Sequence, residues 1–203
     1  MTETTRNALS KTAWAALLLA SPQLASAAPR TETAVLAGGC FWGVESVFEH
    51  VRGVRDVVSG FAGGTRTGIG SKASRDGYAE AVRITYDPGE ISYVDLLKIF
   101  FRIAHDPTQV NRQGPDVGPQ YRSAIFPQNA QQRQQAQQML AQLGQANAGR
   151  KPIATKIESG RFSVAEAAHQ DYVRRNPRAP YVVVNDLPKL AELKRAYPQL
   201  WKS

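Results

Sequence analysis

The spacing of hydrophobic residues changes several times along the chain, and each change marks an element. Residues 33–37 form a short apolar run that stops at Gly38-Gly39-Cys40, the pattern of a strand running into a turn. From Phe41 to about His50 the spacing becomes helical, with Phe41, Val44, Val47 and Phe48 on one side. A second strand is predicted over 54–61, ending at Ala62-Gly63-Gly64. Residues 65–77, rich in Gly, Ser and Thr and without periodicity, read as a loop. Over 80–86 the pattern alternates: Glu80, Val82, Ile84 and Tyr86 share one face, and Ala81, Arg83 and Thr85 the other.

Ser92 with Asp95 opens a predicted helix over 94–104. Residues 106–119, rich in Pro, Gly, Asn and Gln, are expected to be a long ordered loop, a type that often carries function. A strand at 121–126 follows. Asn129 with Gln132 caps a Gln-rich helix whose apolar seam is Ala136, Met139, Leu140 and Leu143. A strand is predicted over 153–158. The capping box Ser163-x-x-Glu166 opens a predicted helix to about Arg175, and a last helix covers 188–195. Strands and helices mix without strict alternation, which predicts an α+β fold: a two-layer sandwich of a mixed sheet with helices packed on it. No internal repeat and no linker marks a second domain.

The amino terminus has a different logic. Arg6 and Lys11 precede a short apolar run at 12–20, and Ala25-Ser26-Ala27 offers a small-x-small cleavage pattern. The run is about half of the ~20 residues a membrane-spanning helix needs. Residues 1–27 are therefore predicted to be a signal peptide and 28–203 a single catalytic domain, exported to the periplasm or secreted, without stable membrane insertion. The alternative is a frayed helix in a cytosolic protein. Leu36-Ala37-Gly38-Gly39-Cys40 imitates a lipoprotein box, but Leu stands four residues before the Cys and the apolar run ends too far upstream. Loss of Glu3, Arg6 and Lys11 with the leader takes the net charge from +8 to +7. That charge is spread without basic runs, which argues against nucleic-acid binding. One cysteine excludes an intrachain disulfide scaffold and a multi-cysteine zinc ribbon. Three histidines with no H-E-x-x-H leave no metal site to predict.

Cys40 carries the strongest chemical signal. It follows two glycines and heads a helix, where unpaired first-turn amides and the helix dipole are expected to lower its pKa. The competing reading is a buried structural thiol. Glu80 sits on the apolar face of its strand, where partial desolvation favours the neutral form and makes it a proton donor; the competing reading is a solvated strand-end charge. Asp116, Gln120 and Tyr121, at the end of the long loop, are placed to converge on a substrate oxygen or simply to bond within the loop. Phe41 and Trp42 offer an apolar pocket beside the thiol, or core packing. Gly68-Ile69-Gly70-Ser71-Lys72 lacks the full phosphate-loop pattern. His105 or His169 could pair with Cys40 as a hydrolase dyad, although His169 falls in a helical pattern that suits core or surface better.

Taken together, Gly39-Cys40-Phe41-Trp42-Gly43 resembles the active-site pentapeptide of the A-type peptide methionine sulfoxide reductases. The likeness extends through Gly60-Phe61-Ala62-Gly63-Gly64, Ala79-Glu80, Tyr86-Asp87-Pro88, Ile91-Ser92-Tyr93 and His105-Asp106-Pro107-Thr108. It continues over the run 111–125 and Ala165-Glu166-x-x-His169-Gln170-x-Tyr172, covering about 33–185.

The resemblance implies a ferredoxin-like plait and reduction of methionine S-sulfoxide, free or in proteins, to the thioether. Cys40 would attack the sulfoxide sulfur and end as a sulfenic acid. Glu80 would protonate the oxygen, Asp116 and Tyr121 would hold it directly or through water, and Phe41 and Trp42 would pack around the substrate methyl. No bound cofactor is implied. The chain departs from the family pattern in three ways. The loop before Glu80 lacks a Tyr, Gly68 and Ile69 standing in that region; Tyr78 replaces a His, its hydroxyl a candidate to compensate; and no second Cys exists. An external thiol is therefore expected to recycle Cys40, whether a thioredoxin-like or glutaredoxin-like protein or a small thiol such as dithiothreitol in vitro. The protein is expected to be a monomer. Two rival functions stay open: a non-catalytic binder of oxidised Met peptides, and a thiol peroxidase using Cys40.

Overall fold

The computed structural model describes Met1 and residues 30–64 and 77–203. The predicted leader and nearly all of the predicted 65–77 loop lie outside the described residues. In chain order the elements are β1 (Glu32–Gly38), α1 (Phe41–Glu49), β2 (Val54–Gly63), β3 (Tyr78–Tyr86) and α2 (Tyr93–Ile99), which runs into a wide π turn at Phe100–Ala104. Then come β4 (Arg112–Gln113), β5 (Asp116–Val117), a 3₁₀ turn at Pro119–Tyr121, β6 (Ser123–Phe126), α3 (Ala130–Ala146), β7 (Lys156–Ile157) and β8 (Phe162–Val164). A 3₁₀ turn at Ala167–His169 leads to α4 (Tyr172–Arg175), α5 (Pro180–Asn185) and α6 (Leu187–Ala196).

The sheet order is β7-β6-β1-β3-β2-β8. Its central four strands are antiparallel and arise from β1-α1-β2-β3-α2-β6, the connectivity of a ferredoxin-like plait. β7 joins parallel to β6, which makes the sheet mixed, and β8 pairs antiparallel with β2. Strand alternation distributes the core. Ala34, Leu36, Val82, Ile84 and Ile125 bury one face against α1, α2 and the rest of the helical layer. Val35, Ala37, Ala79, Ala81, Ala124 and Phe126 form a smaller cluster on the other face. The predicted α+β sandwich is the fold observed. Among the described residues no helix is long and apolar enough to cross a membrane.

Two predicted caps hold. The Ser92 hydroxyl accepts from the Asp95 amide at 3.1 Å, and the Asn129 side chain accepts from the Gln132 amide at 2.8 Å. Other boundaries differ from the sequence pattern. The segment at 106–119 is not a bare loop but folds into the β4–β5 hairpin, with Gln113 opposite Asp116. Tyr121 belongs to the 3₁₀ turn, not to a strand. The predicted 153–158 strand pairs with β6 only over Lys156–Ile157. The predicted helix from Ser163 is absent: Ser163 pairs with Phe61 at the sheet edge, and Asp171 in the left-handed region (φ 51°) keeps the 3₁₀ turn separate from the four-residue α4. Here edge pairing outweighs a local capping pattern.

Candidate active site

The thiol is presented by the turn between β1 and α1. Gly39 has φ 93°, a conformation only glycine adopts without strain, and a side chain there would collide with Gln113 of β4. Cys40 is the N-cap of α1, but no side-chain cap bond is formed. The first helical amide is taken instead by an acid from the neighbouring strand: Phe41 N–H donates to Glu80 Oε2 at 3.2 Å. Glu80 thus faces α1, on the side of β3 shared with Val82 and Ile84. Burial, and secondarily the nearby Asp116 charge, push its carboxyl up to about 7 against the Phe41 amide. The sequence expectation of a protonatable acid on the apolar face is met.

The expectation for the thiol is reversed. Burial first, and then the charge of Glu80, push the Cys40 pKa up; Asp186 adds to this. The nearby Trp42 amide and Tyr181 hydroxyl pull the other way without prevailing. A helix terminus lowers a thiol's pKa where its amides are the main influence; here a dry site with two carboxylates outweighs them.

Asp116 and Tyr121 join this centre from the β4–β5 hairpin and the 3₁₀ turn that follows it. Asp116 is placed by the β4–β5 hairpin, which Gln113 anchors by bonds to the Asp106 N–H and C=O, both 3.1 Å. Tyr121 is placed by Arg122. That guanidinium pairs two-pronged with Glu158 (2.9 and 2.8 Å) and donates to the Pro119 and Gly77 carbonyls, tying the 3₁₀ turn to the residue before β3 and the residue after β7. Burial and the surrounding charges of Glu80, Asp116 and Cys40 push the Tyr121 hydroxyl up to about 12, so it stays a donor at neutral pH.

A cleft of about 80 Å³ opens on Cys40, lined by Gln113, Asp116, Tyr181, Asn185 and Lys189 among others. Tyr181 and Asn185 belong to α5, an element the sequence pattern does not reveal, and Lys189 to α6. Tyr181 Oη also donates to Asp116 Oδ2. Asp186 is buried, with Lys189 Nζ 3.5 Å away, and both stand where a side chain at Gly43 would have to go. Tyr78, the expected source of a compensating hydroxyl, is 3% exposed with its ring against Gly64.

The aromatic pair divides its labour. Phe41 is 3% exposed and packs edge-on against Phe61, with centroids 5.6 Å apart. Trp42 is half-buried, stacked on Tyr172 at 3.7 Å and 8°, with the edge of Tyr181 against it. Its indole N–H donates to His169 Nδ1 at 3.3 Å. The dyad alternative fails on these bonds. His169 serves Trp42, whereas buried His105 bonds the Phe100 carbonyl (2.9 Å) and the Ser123 hydroxyl (2.7 Å), burial pushing its pKa down to about 4.

A thiol heading a helix, with a protonatable carboxyl across from it and tyrosine hydroxyls nearby, is an arrangement suited to cysteine chemistry with acid assistance. The family model described as peptide methionine sulfoxide reductase matches residues 32–200. Peptide methionine sulfoxide reductase MsrA 2 of Mesorhizobium japonicum is 51% identical over 181 residues, spanning 86% of this chain and 92% of that protein. Among solved structures, methionine sulfoxide reductase A of Corynebacterium diphtheriae aligns with a TM-score of 0.64 at 33% identity, over 75% of this chain and 78% of that one. Mxr1 from Saccharomyces cerevisiae in its reduced form aligns at 0.62 and 34% identity, over 73% and 87%. The chain belongs to the peptide methionine sulfoxide reductase family. It is an enzyme, and its reaction is the thiol-dependent reduction of methionine sulfoxide.

Proposed function

We propose that Cys40 is the nucleophile and Glu80 the acid in reduction of the S epimer of methionine sulfoxide, free or within oxidised proteins. The observation that carries this reading is the neutral-leaning Glu80 carboxyl held at the start of the helix that Cys40 caps. The Cys40 thiolate bonds to the sulfoxide sulfur while Glu80 gives its proton to the oxygen. The S–O bond then breaks, the oxygen passes to Cys40, methionine leaves, and Cys40 is a sulfenic acid. The Tyr121 hydroxyl donates to the developing hydroxyl oxygen, and Asp116, an acceptor when ionised, holds it through a water. Trp42, backed by Phe41, walls the methyl group.

Cys40 is the sole cysteine of the chain, so its sulfenic acid has no internal thiol to meet. An external thiol condenses with it, releasing water and leaving a mixed disulfide. A second thiol then frees Cys40 and carries away the oxidised pair. A thioredoxin-like or glutaredoxin-like protein, or a small thiol, fills this role. The leader-like pattern at 1–27 supports export to the periplasm or outside the cell, and we read the working form as a monomer.

The test is turnover of separated S and R epimers of methionine sulfoxide by residues 28–203 with dithiothreitol, beside Cys40→Ser and Glu80→Gln. Loss of the S epimer alone, abolished by Cys40→Ser, is expected; no turnover of either epimer would support the binding-only rival. A thiol peroxidase would survive Glu80→Gln. After one turnover without reductant, mass spectrometry is expected to show a sulfenic acid at Cys40.

A further inference from the structure

The hairpin that bears Asp116 and the turn that bears Cys40 are separate pieces of chain, yet one side chain touches both. Gln113 of β4 spends its whole amide on a single residue. Its Oε1 accepts from the Asp106 N–H and its Nε2 donates to the Asp106 carbonyl, both at 3.1 Å. Its methylene stem lies on the thiol turn. A Cβ on Gly39 would stand only 2.4 and 2.5 Å from Gln113 Cβ and Cγ, so the stem rests directly on the residue before Cys40. Across the hairpin Gln113 is paired with Asp116, and both line the cleft that opens on Cys40.

Asp106 is a firm anchor for that amide. The preceding His105 is buried, its ring bonded to the Phe100 carbonyl at 2.9 Å and to the hydroxyl of Ser123 in β6 at 2.7 Å. It also stands where a side chain on Gly38 would have to go. Restraint therefore runs from the sheet through His105 to the Asp106 backbone, across the Gln113 amide, and into the hairpin. A second tie, from the Gly114 N–H to Gln109 Oε1 at 2.9 Å, holds the hairpin tip and not the strand that carries Asp116.

We propose that Gln113 is a positioning residue that sets where Asp116 stands relative to Cys40. The proposal rests on the roles given above to Cys40 and Asp116. Gln113 acts through two parts that substitution can separate: the amide fixes the hairpin, and the stem seats the thiol turn. Loss of the amide alone leaves the thiol in place and lets Asp116 drift from the oxygen it holds as the S–O bond breaks, where small displacements are costly.

The experiment compares wild type, Gln113→Met, Asp116→Asn and the double variant. Gln113→Met keeps an unbranched stem against Gly39 and removes both bonds to Asp106. Single-turnover release of methionine is measured against methionine-S-sulfoxide concentration. Loss of the two bonds is expected to lower the saturating rate about 10-fold and to leave the half-saturating concentration within about twofold. Alkylation of Cys40 by iodoacetamide is expected to stay within about twofold of wild type, because the thiol's surroundings are kept. In the Asp116→Asn background Gln113→Met is expected to add no further loss, since the group it positions is already gone. Amide exchange at Gly118, whose N–H bonds to the Asn111 carbonyl at 2.9 Å and closes the hairpin, reports the clasp directly. It is expected to quicken about 10-fold in Gln113→Met. Additive losses in the double variant, alkylation falling in step with turnover, or unchanged exchange at Gly118 would overturn the proposal. A wild type that does not reduce the sulfoxide overturns the function assigned above, while exchange and alkylation, which need no sulfoxide, still decide whether Gln113 holds the hairpin against the thiol turn.

Discussion

The Phe41 amide donates to Glu80 Oε2 at 3.2 Å, which places the acid on the helix terminus that Cys40 caps. That amide, elsewhere available to a thiolate, is spent on a carboxyl that burial keeps near neutrality. The site is built to hold a proton near the sulfur rather than to keep the sulfur ionised.

As the proposed acid, Glu80 is expected to set the alkaline limit of the reaction. Its carboxyl is raised to about 7, so the donor form is present below that value and lost as the pH rises through it. Initial rates at saturating sulfoxide are expected to fall on this side. Glu80→Gln is expected to cut the rate by about 100-fold or more and to remove that descending limb. An unchanged limb in the Gln variant would assign it to another group.

Gly39 controls the thiol through its backbone. Gly39→Ala adds the strain of a side chain at φ 93° and a collision with Gln113, whose bonds to Asp106 anchor the hairpin bearing Asp116. A loss of about 1–2 kcal/mol in urea unfolding is expected, with a larger proportional loss of activity. Gly114→Ala is the control, because φ there is 55° but no atom lies within 4 Å of the added carbon. It should show the backbone cost alone.

His169 positions Trp42. His169→Phe keeps a ring beside the indole and removes the acceptor at 3.3 Å, which should cost about 1 kcal/mol. With Trp42 proposed as the wall of the substrate methyl, KM is expected to rise more than kcat falls, with a change in tryptophan fluorescence. His169→Gln, which restores an acceptor, should recover part of KM. Equal losses in kcat and in KM for every variant would point to a general structural role.

Stability is expected to decline from mildly acid to mildly alkaline conditions. Glu45, Glu49 and Glu80 are all raised to about 7 in the fold, chiefly by burial. An unfolded glutamate titrates near ~4.3, so the folded state binds more protons between the two values. Their contribution is complete below ~4.3 and is lost as the pH rises through about 7. Glu45 is 1% exposed, with Oε1 accepting from the Ser59 amide and Oε2 without a partner among the described residues. Glu45→Gln should flatten the fall in melting temperature between about pH 5 and 8. A parallel fall in wild type and variant would remove Glu45 from the account.

β1, β2, β3, α1 and the acid face of β3 are legible because short-range patterns specify them, whereas β4, β5 and β8 are too short to carry such a pattern. Strict alternation from Glu80 to Tyr86 forces Glu80 onto the helical side, and two glycines before Cys40 mark the turn. The direction of the thiol's pKa was not legible. It depends on carboxylates from β3 and from Asp186, between α5 and α6, and on burial that only the assembled fold produces. Tyr181 was hidden for a similar reason. It stands on a six-residue helix after Ala179-Pro180 with no apolar period, and its worth lies in meeting Asp116 across the cleft. Ser163 shows the reverse error, a genuine capping pattern overruled because the edge of β2 was free to pair.

One wall of the cleft over Cys40 comes from Tyr181, Asn185 and Lys189, late in the chain, while the sulfur itself comes from the first strand–helix turn. During synthesis the sulfur is therefore made long before these walls, which stand beside it only once the last helices dock. A nascent or C-terminally clipped chain would carry the thiol in a more open setting.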